Sequence, residues 1–100
     1  MSMIEIVERA GEFAHGGDPI QAAAEWAEYE FTEEEAERWL KSRCFDPWSA
    51  SILEDCGITP EQVAAETDQG MGDYTDTIGY KYSNMDLPLT TVERIVRQNH

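Results

Sequence analysis

The chain has 100 residues, of which 7 are basic and 21 acidic, and its formal net charge is −14. This charge disfavours direct binding to DNA, RNA or an anionic membrane, because those surfaces attract basic proteins. It favours a basic protein as partner, including one that itself holds nucleic acid, although the acidity can equally serve only solubility. The length allows one hydrophobic core, and we therefore predict a single domain over residues 1–100.

No signal peptide is expected, because the first residues carry three glutamates and lack a long apolar core. No apolar run approaches the roughly twenty residues that a membrane span needs. We therefore expect a cytoplasmic protein whose two cysteines, Cys44 and Cys56, remain reduced and behave as small hydrophobic residues.

The first helix is predicted over residues 3–14, where apolar side chains recur at helical spacing before a His-Gly-Gly sequence. His15 is expected to complement the dipole of this helix rather than to bind a ligand. The second helix is predicted from Pro19 to Tyr29 and is apolar over most of its circumference. Such a helix either lies at the centre of the core or presents one aromatic side, with Trp26 and Tyr29, to a partner.

A short pattern then repeats along the middle of the chain: an apolar residue, a helix-capping residue, and a glutamate or proline. Its copies are Phe31-Thr32-Glu33, Phe45-Asp46-Pro47 and Ile58-Thr59-Pro60. A threonine or aspartate that accepts an unpaired amide N–H, followed by proline, is typical of a helix start. We predict helices over residues 33–43 and 47–56 and a short one from Pro60, with Gly57 ending the middle helix in the left-handed conformation. Along the middle helix Trp48, Ile52 and Cys56 form an apolar stripe.

Seven acidic residues and no basic one lie between Glu25 and Glu37. Two acids in this region have a predicted structural role, since Glu34 with Arg38 and Glu37 with Lys41 have the spacing of helical ion pairs. Glu25, Glu28, Glu30, Glu33 and Glu35 have no such partner, and the preference of acids for a helix N-terminus explains Glu33 and Glu35 only in part. If most of this span is helical, it carries about one negative charge per 3 Å. A DNA strand carries one per about 3.4 Å, so mimicry of nucleic acid is one hypothesis.

The character of the sequence changes over residues 68–84, which contain glycines and tyrosines. The alternation of Ile78, Tyr80 and Tyr82 predicts a short extended segment or hairpin near residues 77–83. The tyrosines are expected either to cover the helical core or to form a recognition surface. A last amphipathic helix follows, to about Gln98. The predicted fold is mainly α, a compact single domain of five to six short helices with that one extended segment.

Enzymatic activity is not expected, because no catalytic triad, phosphate-binding loop or supported Cys/His arrangement is present. Asp68, Asp73 and Asp76 near glycines suggest a calcium loop, but their spacing does not match the EF-hand pattern. The two cysteines have no nearby histidine with which to build a zinc site. We predict no cofactor, no metal and no small-molecule substrate.

At residues 43–65 and 68–84 the sequence resembles the small acidic anti-CRISPR proteins of phages and mobile elements that act on type I-F systems. Anti-CRISPR proteins share no common fold. The resemblance implies a non-catalytic inhibitor that binds the crRNA-guided surveillance (Csy) complex in the host bacterial cytoplasm and blocks target DNA. It implies no motif of contact residues, so the candidates come from physical reasoning: Glu28, Glu30, Glu33, Glu35, Asp68, Asp73, Tyr74, Asp76, Tyr80 and Tyr82. We expect a monomer that binds no nucleic acid directly.

The alternative is an acidic protein-interaction module such as an antitoxin, an immunity protein or an adaptor. In that case Trp26, Tyr29 and the tyrosine loop would contact one cognate protein, and the acidity would only accelerate association. Weak dependence of binding on salt, and insensitivity to reversal of the acids, would favour this alternative.

Overall fold

A computed structural model describes residues 2–11 and 18–98. These residues form seven helices and one antiparallel two-stranded hairpin, which confirms the predicted mainly helical fold. The elements are α1 (Met3–Ala10), α2 (Pro19–Glu28), α3 (Glu33–Lys41), α4 (Pro47–Asp55), α5 (Pro60–Val63), β1 (Glu66–Thr67), β2 (Asp76–Thr77), α6 (Ile78–Ser83) and α7 (Leu89–Gln98). None of the described helices is long and apolar enough to cross a membrane.

The helix starts follow the repeated sequence pattern. Thr32 and Thr59 each accept a hydrogen bond from an amide three residues ahead, and the side chain at that third position bonds back to the threonine amide. These two capping boxes begin α3 and α5. Asp18 and Asp46 cap α2 and α4 with a carboxylate, and proline is the first residue of α2, α4 and α5. The caps predicted at Thr32, Asp46 and Thr59 are therefore confirmed, and Asp18 extends the same pattern to α2.

Four helices also end in the same way, in a Schellman motif. In this motif one residue after the helix adopts a positive φ, and the next amide donates to a carbonyl five residues back. The left-handed residues and their φ angles are Glu30 (65°), Arg43 (64°), Gly57 (78°) and Met85 (62°). The long hydrogen bonds run from Phe31 to Trp26, from Cys44 to Trp39, from Ile58 to Leu53 and from Asp86 to Lys81, over 3.2, 3.2, 3.0 and 2.8 Å. Glycine, the residue best suited to this conformation, occupies only one of the four positions.

The first three motifs each bring two buried apolar residues together, as such motifs commonly do. Their pairs are Trp26 with Phe31, Trp39 with Cys44 and Leu53 with Ile58, and all six residues belong to the core. The rings of Trp26 and Phe31 meet edge to face with centroids 5.1 Å apart. Helix ends and hydrophobic core are therefore built by the same residues in α2, α3 and α4.

Helix α1 is shorter than predicted. It ends at Ala10 because Gly11 adopts φ 78° and its amide donates to the carbonyl of Glu8. The remainder of the predicted first helix, including the interpretation of His15, lies outside the described residues.

The extended segment also lies elsewhere than predicted. Residues 66–67 pair with residues 76–77, whereas residues 78–83 form helix α6. The Thr77 hydroxyl accepts the amide of Tyr80 at 3.1 Å and so starts a helix where side-chain alternation suggested a strand. A Cβ on Gly79 would lie 2.8 Å from the carbonyl oxygen of Ser42, so this glycine lets α6 approach the end of α3 closely.

The apolar stripe of α4 faces outward. Trp48 is 54% exposed and Cys56 is exposed. The helix instead buries its opposite side, with Ala50 and Leu53 fully enclosed. Trp26 of α2 is only 1% exposed, so that helix presents Tyr29 but not its tryptophan to the surroundings.

Candidate functional site

Four glutamates at the end of α2 and the start of α3 form what we call the acidic ridge: Glu25, Glu28, Glu30 and Glu33. Glu25 is half-buried and the other three are exposed. No hydrogen bond or ion pair joins their side chains to any other part of residues 2–11 and 18–98. Within the described part of the chain, the ridge therefore has four carboxylates without a compensating cation in nine consecutive positions.

Two neighbouring acids, Glu35 and Glu37, have partners inside the fold. Glu37 pairs with Lys41 at 3.3 Å, as predicted. Glu35 completes the capping box of α3, because its carboxylate accepts a hydrogen bond from the amide of Thr32 at 3.0 Å. It thus has the structural role that the sequence only partly indicated.

The predicted ion pair between Glu34 and Arg38 is replaced by another. The Arg38 guanidinium bonds the carboxylate of Glu61 on α5 through two nitrogens. This bond raises the pKa of Arg38, to which the charges of Glu34 and Glu35 also contribute, and it lowers the pKa of Glu61. The pairing across 23 positions joins α3 to α5, a contact that helical spacing could not predict.

Two members of the ridge occupy positions that disfavour them. Glu28 is the last residue of α2, a helix with no basic residue in its last turn, and an acid near a helix C-terminus is unfavourable by a few tenths to about 1 kcal/mol. Glu30 holds a left-handed conformation that costs a non-glycine residue roughly 1–2 kcal/mol. Residues that break local rules without a compensating contact concentrate at functional sites.

The second region with predicted contact residues is the Lys81 loop, defined as residues 68–75. Lys81 is fully buried, and its ammonium donates to the carbonyl oxygens of Gln69 and Tyr74, both at 2.6 Å. The same nitrogen lies 4.4 Å from the centre of the Tyr74 ring. A buried charge with these partners fixes the loop on α6.

Asp76, at the end of this loop, is bound within the fold. Its carboxylate accepts two hydrogen bonds from Arg43, at 2.9 and 3.3 Å. The Arg43 guanidinium also lies 4.7 Å from the centre of the Tyr80 ring and 5.6 Å from that of Phe45. Contacts within the fold therefore account for Arg43 at its left-handed position. The same contacts give Asp76 and Tyr80 a structural role.

The remaining candidates of the loop region differ in exposure. Asp68 and Asp73 are exposed, Tyr74 is 40% exposed and Tyr82 is half-buried. Burial raises the pKa of both tyrosines, and the neighbouring Asp86 carboxylate raises that of Tyr74 further. Tyr74 is thus partly available to a partner, whereas Tyr82 mainly covers the core.

The predicted contact residues do not form one cluster. The acidic ridge lies at the N-terminal end of α3, whereas the loop is joined through Asp76 to Arg43, beyond the C-terminal end of that helix. A helix of nine residues separates the two ends by about 13 Å. They are better described as two regions than as one site.

Sequence reasoning missed the two large apolar residues with the highest exposure in the described ranges, Met71 and Met85, which are 88% and 80% exposed. Methionine is normally interpreted as core, and the left-handed position of Met85 has no glycine to mark it. The sequence places Trp48 only in an apolar stripe, and the structure shows that its side chain is exposed.

In the described ranges, no three histidine, cysteine, aspartate or glutamate side chains lie in an arrangement that could hold a metal ion. Comparison with family models, curated proteins and solved structures finds no match to this chain. Its function must therefore be inferred from the residues and their geometry.

Proposed function

We propose that this protein is a non-catalytic anti-CRISPR inhibitor that binds the crRNA-guided surveillance complex of type I-F systems and blocks target DNA. The observation that carries this proposal is the acidic ridge, whose carboxylates have no compensating cation in the described parts of the chain. A complex that guides DNA along its surface must line that path with basic residues. The carboxylates of the ridge would bind these basic residues in place of DNA phosphates.

The proposal also draws on the resemblance of residues 43–65 and 68–84 to anti-CRISPR proteins. The net charge of −14 would speed the encounter with a basic assembly and would keep the inhibitor from binding the crRNA itself. Glu35 and Asp76 are engaged within the fold, so the proposal does not depend on them.

The test is a titration of purified type I-F surveillance complex with the protein, followed by a target-DNA gel shift. We expect binding and loss of the shifted band. The variant Glu28→Lys/Glu30→Lys/Glu33→Lys should bind about a hundredfold more weakly at about 0.05 M salt, with a smaller difference at about 0.3 M.

A matched control reverses three exposed acids elsewhere, as Glu54→Lys/Asp55→Lys/Glu66→Lys. Its net charge equals that of the ridge variant, so it separates local contact from overall charge. Equal losses of affinity in the two triple variants would show that binding depends on the overall negative charge and not on the ridge in particular. Absence of any binding by the unaltered protein would refute the proposal.

The exposed aromatic residues favour a second candidate, an interaction module for one cognate protein. Tyr29 and Trp48 are 43% and 54% exposed, and such side chains are frequent anchors of protein interfaces. The buried Trp26 cannot serve as the anchor originally considered. Binding of a cognate protein that depends on Trp48 and hardly on salt would support this candidate over the first.

A further inference from the structure

The Schellman corner after α6 differs from the other three in its left-handed residue and in the pair of residues that its long hydrogen bond joins. Its left-handed position holds Met85, and its long hydrogen bond joins Asp86 to Lys81 in place of an apolar pair. The Met85 side chain is 80% exposed, so burial does not explain its presence. Arg43 occupies the equivalent position with a structural reason, its bonds to Asp76.

A second exposed methionine lies beside this corner. The Met71 amide donates to the carbonyl oxygen of Asp86 at 3.2 Å, so the two methionines project from adjacent stretches of backbone. Met71 is 88% exposed. We call the two side chains, with the partly exposed Tyr74, the methionine patch.

The backbone beneath the patch is firmly held. The Gly72 amide donates to Asp86 Oδ1 at 2.8 Å, and Lys81 binds the carbonyls of Gln69 and Tyr74. A Cβ on Gly70 would lie 2.9 Å from the Asp86 carbonyl oxygen, so the two segments approach as closely as glycine permits. A surface that is ordered before binding loses little conformational entropy on association.

Carboxylates flank the patch. Asp68 and Asp73 are exposed and lie within three positions of Met71 along the chain, whereas the Asp86 carboxylate serves the fold, since its Oδ1 accepts the Gly72 amide and its Oδ2 is buried. This negative rim, together with the net charge of −14, opposes pairing with a second copy of the chain. It is complementary to an apolar protein surface bordered by lysine or arginine.

We propose that the methionine patch is a protein-docking surface for an apolar segment flanked by basic residues. Flexible, polarisable methionine side chains adapt to apolar partners, and the carboxylates select those with basic flanks. The inference rests on the proposed function only in taking a basic protein as partner. It adds a second contact region, which would slow dissociation while the acidic ridge speeds encounter.

The test uses an amphipathic helical peptide of leucine and lysine, about 14 residues long, as the probe. Its affinity is measured by fluorescence anisotropy, and its position by NMR of methionine methyl groups labelled with carbon-13. We expect the Met71 and Met85 methyl signals to shift while that of Met3 does not. The double variant Met71→Gln/Met85→Gly should bind about tenfold more weakly.

Three controls keep the result interpretable. Ile20→Gln alters another exposed apolar residue, 68% exposed on α2, and should leave the affinity within about twofold. An all-lysine peptide of the same length should not distinguish the double variant from the unaltered protein. Met85→Gly removes a left-handed methionine, so its midpoint of urea unfolding should not fall.

Unchanged peptide affinity in the double variant, or methyl shifts elsewhere than at Met71 and Met85, would overturn the inference. Titration of the type I-F complex is a separate measurement. If the complex fails to bind while the peptide results hold, the proposed function falls and the docking surface stands.

Discussion

The corners after α4 and α6 have the same backbone hydrogen bonds and opposite chemistry. At the first, Gly57 adopts the left-handed conformation and Leu53 meets Ile58 in the core. At the second, Met85 adopts it, and the backbone hydrogen bond joins Asp86 to a buried lysine in place of an apolar pair. One corner follows every local preference, whereas the other departs from them and exposes a large apolar side chain. The difference shows that the same backbone hydrogen bonds can form with or without the residues that local preferences favour, and that a departure calls for a separate explanation, as Arg43 finds in its bonds to Asp76.

The Glu30 corner lies between these extremes. It keeps the apolar pair of Trp26 and Phe31, yet it places an exposed glutamate where glycine would fit best. At Glu30 and Met85 the described structure offers no contact that offsets the backbone conformation, and these are the residues to which we assign partner contacts.

The largest effect is expected from Lys81→Met. This change removes the buried ammonium that binds the carbonyl oxygens of Gln69 and Tyr74, and it should lower the free energy of unfolding by about 3 kcal/mol. Leu53→Met, at the same position of the Gly57 corner, should cost less than about 1.5 kcal/mol. Urea titration measures both, and equal losses would show that the polar corner is no different from the apolar one.

A pH-dependent effect of intermediate size distinguishes the two cysteines. Burial raises the pKa of Cys44, beside the Arg43 corner, to about 12. An unfolded cysteine has a pKa of about 8.5, so the stability from the buried thiol is fully present below that pH and is lost as pH rises towards 12. The free energy of unfolding should therefore fall by up to about 1.4 kcal/mol per pH unit above this point through this group.

The check compares unfolding at pH of about 8 and about 10 in Cys44→Ala and Cys56→Ala. The first variant should lose part of the pH dependence, whereas the second, which changes an exposed thiol, should keep it. The same dependence in both variants would show that other groups are responsible.

Substitutions at the left-handed positions should have the smallest effects and opposite signs. Gly57→Ala should lower the free energy of unfolding by about 1 kcal/mol through the backbone alone, since nothing lies within 4 Å of the added Cβ. Glu30→Gly and Met85→Gly should raise it by about 0.5 kcal/mol, because relief of the strained conformation exceeds the added entropy of the unfolded chain. A lower free energy of unfolding in either glycine variant would contradict the claim that Glu30 and Met85 hold an unfavourable backbone conformation.

Much of the fold could be predicted from the sequence because the caps are local. Thr32, Asp46 and Thr59 bond to amides only two or three residues ahead, and the repeat displays them directly. Gly57 marked its own helix end for the same reason. The ends at Glu30 and Met85 carried no such mark, since no local preference leads these residues to a positive φ.

The candidate site was less predictable because its decisive contacts are distant in sequence. The bonds between Arg43 and Asp76 span 33 positions, and those of Lys81 depend on a loop whose path no local pattern shows. A lysine is normally expected at the surface, so its burial could not be foreseen. The exposure of Glu28, Glu30 and Glu33 could be anticipated, because charge without a neighbouring opposite charge is visible in the sequence itself, but the same signal at Glu35 accompanies a capping role.

The most direct test of the account measures the affinity of Glu30→Gly for the purified type I-F surveillance complex, alongside its stability. The account predicts a protein that unfolds no more easily than the original and binds about tenfold more weakly, because one charge of the ridge is lost and the strain is relieved. Unchanged affinity with raised stability would contradict the claim that this corner departs from its preferred residue for the sake of a partner.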